Sequence, residues 1–64
     1  MREQMLQYLQ SQLTDFQNEL KKYGPEDRVV ERKFDAMIAC KEMVEAIIGE
    51  PVNLQKDGRV TVGF

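Results

Sequence analysis

Between Val29 and Ile48 the chain carries two adjacent rows of apolar residues at helical spacing, and together they are too wide for one neighbour to bury. Val30, Phe34, Met37, Val44 and Ile48 form one row, interrupted by Lys41. Val29, Ala36, Cys40, Met43 and Ile47 form the second, and Ala39 and Ala46 widen the arc. A helix lying on a single core needs an apolar stripe of ~100°, and this arc covers more than half the circumference. The helix therefore needs at least two neighbours, which the rest of a short chain or a second molecule must supply. Its other side collects Asp27, Glu31, Asp35, Glu42 and Glu45, interleaved with Arg28, Arg32 and Lys41 at distances that suit ion pairs.

The residues ahead of it, about 2–22, read as a first helix. Leu6, Leu9, Leu13, Phe16, Leu20 and Tyr23 recur at steps of three and four, the seam of a helix packing lengthwise on one partner. Met1, Met5 and Tyr8 stand at the edge of that seam and read as core that widens it. Gly24 suits a helix end and the Lys21–Lys22 pair suits its negative pole. Pro25 then fits the first turn of the second helix, placed at about 26–48, with Glu26 and Asp27 at its positive end. So short a connection makes the helices antiparallel neighbours. Lys41, inside the apolar row, is expected to lay its stem along the seam and reach Glu45 one turn on.

After Gly49 and Pro51 the pattern changes to alternation, and residues 52–64 read as a β-hairpin. A two-residue Asp57-Gly58 turn would set Leu54 opposite Thr61 and mix polar and apolar residues on each face. A three-residue loop, Lys56-Asp57-Gly58, sets Leu54 opposite Val60 and Val52 opposite Val62, so that one face is wholly apolar. The three-residue loop is the expectation. A lone hairpin is barely stable in water, so its apolar face should lie on the second apolar row of the long helix.

The fold class is accordingly α+β: an antiparallel two-helix hairpin followed by a C-terminal β-hairpin, one small domain over residues 1–64. A domain of this size buries only ~60% of the surface of its unfolded chain, and the usual supplements are disulfides, metal or association. Cys40 is the only cysteine and there is no histidine, so no metal and no cofactor is expected. That leaves association, with a symmetric homodimer favoured as the commonest arrangement. Ala36, Ala39 and Cys40 are small enough to let a second helix approach closely, and both strands of the hairpin are sheet edges. The candidate oligomer interface is Val29, Ala36, Ala39, Cys40, Met43 and Ile47.

No catalytic set is apparent. Cys40 lies in an apolar row that would raise its pKa, and no base stands beside it. The four glycines are scattered and form no phosphate loop. The run Ser11 to Asp15 resembles, over five residues, the short Ser-to-Asp motif of the small helical-hairpin phosphatases that act on phosphorylated response regulators. It stands on the first helix, where that family uses its second, and lacks the motif's interior residues, so no activity is carried over. Cations gather at Lys21, Lys22, Arg28 and Arg32 near the helix-to-helix turn, and at Lys56 and Arg59 on the hairpin tip. These are the candidate nucleic-acid contacts, opposed by Glu19, Glu26, Asp27, Glu31 and Asp35 in the same region and by a net charge of −2.

With no long apolar run and no leader pattern, the expectation is a cytoplasmic protein without a membrane partner. The functional expectation is a small non-enzymatic interaction module: an adaptor, inhibitor or regulatory accessory protein of the size common among phage and mobile-element proteins. It would act as a symmetric homo-oligomer on a protein partner. The alternative is a nucleic-acid or nucleotide binder whose site forms in the oligomer.

Overall fold

The structure is a computed structural model that describes residues 1–63. Two helices, α1 (Arg2–Tyr23) and α2 (Arg28–Ile48), are followed by two short strands, β1 (Val52–Leu54) and β2 (Val60–Val62), paired antiparallel. The α+β arrangement expected from the sequence is therefore present; the last residue of the expected 52–64 hairpin, Phe64, lies outside the described residues. The long axis of the molecule, 33 Å, is the length of α1 at ~1.5 Å per residue.

The turn between the helices begins where Gly24, at φ 85°, donates its N–H to the Leu20 carbonyl at 2.9 Å. α2 then starts later than the 26–48 reading placed it. Asp27 has extended backbone angles, and its Oδ1 accepts the Val29 and Val30 N–H groups at 2.9 and 3.3 Å. It is thus the N-cap rather than a first-turn residue, because a short carboxylate placed there satisfies two amide donors that the helix leaves unpaired. Pro25 and Glu26 belong to the turn. At the other end Gly49 takes the left-handed conformation, φ 79° and ψ 16°, and closes α2 onto the Glu45 carbonyl.

Leu9, Leu13, Met37, Cys40, Val44 and Val52 make the core, with Val30 also buried further along α2. The seam of α1 and the first row of α2 meet as expected, but the seam is shorter than the sequence indicates. Tyr23 and Tyr8 are 59% and 60% exposed, and Met1 is 91% exposed. Phe34 packs its ring on Phe16, centroids 5.4 Å apart and planes inclined by 50°, yet remains 44% exposed. Helices this long outrun the short hairpin, so their ends lack a third layer to bury them.

The hairpin has the anticipated register, Val52 opposite Val62 and Leu54 opposite Val60. Its loop closes through Gln55 N–H to the Arg59 carbonyl at 2.8 Å and Gly58 N–H to the Gln55 carbonyl at 3.1 Å, with Gly58 at φ 92°. Its docking differs from expectation. It lies across both helices: Leu54, Val60 and Val62 pack on the Leu9–Leu13–Val44 core, and Gln17 of α1 donates to the Lys56 carbonyl at 3.1 Å. On α2 it shares a hollow with Ile38, Lys41 and Glu45, the last accepting the Val52 N–H at 2.8 Å, while Val29, Met43 and Ile47 of the expected row stay more than half exposed. The decisive residue is Ile38, which belongs to neither row and stands about 180° round the helix from Ile47 at 3.6 residues per turn.

Candidate interaction surface

The docked hairpin covers one flank of the helical pair. On α2 the uncovered flank is the Val29–Ile47 row; on α1 it is centred near Tyr8, about 180° round from Gln17. Val29, Met43 and Ile47 are 51%, 56% and 60% exposed, and Ala36 is exposed between them. Of the six candidate interface residues, Cys40 alone is buried, at 7% exposure. Ala39 is exposed but sits towards the solvent side of the row, about 80° from Val29.

Met1, Met5 and Tyr8, which the sequence assigns to core, complete this flank together with Gln4. Met1, Gln4, Met5 and Tyr8 face Cys40, Met43 and Val44 across a groove of about 280 Å³. Tyr8 and Met1 lie on the side of the Leu9 seam away from Leu6 and Leu13; their helical angle marks the flank, but only the position of the hairpin shows that nothing in the described chain covers it. Further along, the Lys33 ammonium of α2 bridges to the Asp15 carboxylate of α1, so Asp15 of the Ser11–Asp15 run is engaged in holding the helices together. That hydrogen bond raises the Lys33 pKa above its ordinary value, with burial acting the other way. Beside it the Gln12 side-chain oxygen is buried and has no hydrogen-bond partner among the described residues, in a small hollow lined also by Asp15, Lys33 and Ala36.

Burial raises the Cys40 thiol pKa, which disfavours the nucleophilic thiolate. Among the described residues no group of three or more cysteine, aspartate or glutamate side chains converges as metal ligands, and no helix is long and apolar enough to cross a membrane.

The candidate nucleic-acid residues divide in two. Arg59 is held by Asp57, its Nε 2.7 Å from Oδ2. Among the described residues, Lys21, Lys22, Arg28, Arg32 and Lys56 make no salt bridge, whereas Arg2, Lys33 and Lys41 are bridged to Glu50, Asp15 and Glu45. The Lys21–Lys22 and Arg28–Arg32 pairs flank the helix-to-helix turn, and Lys56 lies apart on the hairpin loop.

No protein-family model matches this chain, and no curated protein or solved structure matches it either.

Proposed function

We propose that the protein is a non-enzymatic interaction module that acts as a symmetric homodimer and docks a partner protein. The observation that carries this is the bare apolar flank: Met1, Tyr8, Met43 and Ile47, each more than half exposed, surround one groove and one row on the side away from the hairpin. Isolated exposed apolar side chains are ordinary, whereas a contiguous set marks a contact surface.

A second copy is the favoured occupant, because two-fold association is the commonest arrangement of like chains and the row is contiguous and apolar, with Val29, Met43 and Ile47 each more than half exposed. A two-fold axis on α2 would set the exposed Ala36 against its counterpart, where the small side chain allows close approach, with Cys40 buried beneath the row.

Light scattering over a dilution series tests the dimer. The expected result is twice the chain mass at micromolar concentration, with Ala36→Glu and Met43→Glu monomeric and still helical, since both positions are exposed. A wild-type chain that stays monomeric throughout would overturn the homodimer.

A second reading has one specific observation in its favour: the four cations Lys21, Lys22, Arg28 and Arg32 beside the turn make no salt bridge among the described residues, and Asp27 is occupied in capping α2. It requires salt-sensitive binding of an oligonucleotide that Lys21→Glu with Lys22→Glu abolishes. Equal binding by the wild type and the double variant removes it.

A further inference from the structure

Past the tip of the hairpin the face it covers continues bare. The strands are three residues each, and the loop stops against Gln17. Beyond that point Phe16 and Leu20 of α1, Pro25 of the turn, and Val30 and Phe34 of α2 line a cleft of about 450 Å³, with Glu31 and Asp35 on its rim. The volume is in the range of sites that hold small ligands or single anchoring side chains, ~300–1,000 Å³. Its character is also that of such sites: an apolar lining with a few polar groups at one edge.

The rim decides the occupant. Glu31 and Asp35 are one helical turn apart on the same face; among the described residues neither takes part in a salt bridge, and the neighbouring Arg28 and Arg32 do not line the cleft. Next to them lies Phe34, an aromatic residue left 44% exposed although its ring packs on Phe16. An acidic edge beside an open aromatic face fits a cation with a flat, weakly hydrated head, because guanidinium packs on aromatic rings and pairs with carboxylates in a two-pronged geometry. The apolar lining fits a bulky apolar side chain adjacent to that cation.

We propose that this cleft binds a segment of a partner protein that presents an aromatic or large aliphatic side chain beside arginine. The apolar side chain enters between Leu20, Val30 and Phe34; the guanidinium lies over the Phe34 ring and pairs with Glu31 or Asp35. The proposal rests on the interaction-module reading and names its partner chemistry, but it does not depend on the dimer, whose flank is elsewhere.

The test is an amide NMR titration of the ¹⁵N-labelled full chain with two capped tetrapeptides, Arg-Trp-Leu-Arg and its acidic counterpart Glu-Trp-Leu-Glu, up to millimolar concentration. The expected result is saturable shifts with the basic peptide, centred on Leu20, Glu31, Phe34 and Asp35, and none with the acidic one. Glu31→Gln with Asp35→Gln should leave the remaining resonances in place and weaken the basic peptide at least tenfold. Absence of a saturable shift, equal affinity for both peptides, or shifts centred on Met43 and Ile47 would each overturn the proposal. The two readings fail separately: a dimer that ignores the basic peptide overturns the cleft alone, and a monomer that binds it overturns the dimer alone.

Discussion

The Glu45 carboxylate accepts the Val52 N–H at 2.8 Å and, through the same group, the Lys41 ammonium at 3.2 Å. One side chain in the last turns of α2 thus ties the helix to the first residue of β1. It also occupies an amide at a sheet edge that would otherwise offer itself to another strand. The Val52 side chain is 2% exposed, so the hairpin is pinned both by a polar anchor and by an apolar one.

Acid should loosen this anchor. Hydrogen bonding to Val52, then to Lys41, holds the Glu45 pKa below the ordinary carboxylate value, against an opposing effect of burial. A lowered native pKa means that the stabilisation is complete above the ordinary value of ~4.3–4.5 and is lost as pH falls through the native one. Thermal unfolding of the wild type and Glu45→Gln followed by circular dichroism should show the wild type melting higher at pH 7, with the gap closing below pH 4. A gap that persists unchanged at pH 2 would contradict this.

The core and the open flank should respond oppositely to truncation. Leu9 is fully buried, so Leu9→Ala should cost about 2–5 kcal/mol. That is half or more of the ~3–10 kcal/mol that a domain of this length holds, and the variant's melting midpoint by circular dichroism should fall far below that of the wild type. Ile47→Ala, at a 60% exposed site, should change monomer stability by under ~0.5 kcal/mol and appear instead as a weaker dimer on dilution.

Capping at Asp27 should be measurable alone. Removing both hydrogen bonds to Val29 and Val30 in Asp27→Ala should cost about 1 kcal/mol in urea unfolding, and Asp27→Ser should recover most of it. Equal loss in both variants would mean that the charge of Asp27, rather than its acceptor geometry, is what matters at this helix end.

Gly58 should resist substitution on two grounds. Its φ of 92° disfavours side chains, and a Cβ there would stand 3.2 Å from the Gln17 side-chain oxygen. Gly58→Ala should destabilise by about 1–2 kcal/mol and perturb the Gln17–Lys56 hydrogen bond, visible in the Gln17 side-chain amide resonances.

Cys40 reports on the groove. It is buried on the edge of the open flank and its pKa is raised, so a thiol reagent at pH 8 should modify it far more slowly than in urea. If a second copy covers the flank, the rate should rise on dilution below the dimer's dissociation constant; a rate independent of protein concentration would argue against that cover.

Much of the architecture was already legible in the residue pattern. The Leu6–Leu20 steps gave a first helix, though with one partner where α1 in fact meets both α2 and the hairpin; the breadth of the Val29–Ile48 arc required two neighbours for α2, and the alternation around Lys56-Asp57-Gly58 settled the hairpin register. These are local or periodic properties, fixed by backbone geometry and by which face of each element is apolar. The candidate interface residues were identifiable as apolar by the same means, but whether they were core or surface was not.

That choice belonged to tertiary structure. Helical periodicity directs the hairpin to the Val29–Ile47 row of α2. The hairpin lands instead on the flank that carries Ile38, where Glu45 receives the Val52 amide and Gln17 of α1 reaches the loop. Periodicity reads one element at a time, whereas docking depends on groups from three elements meeting at once. The same event leaves Tyr8, Met43 and Ile47 uncovered, and leaves Phe34 open beyond the hairpin tip.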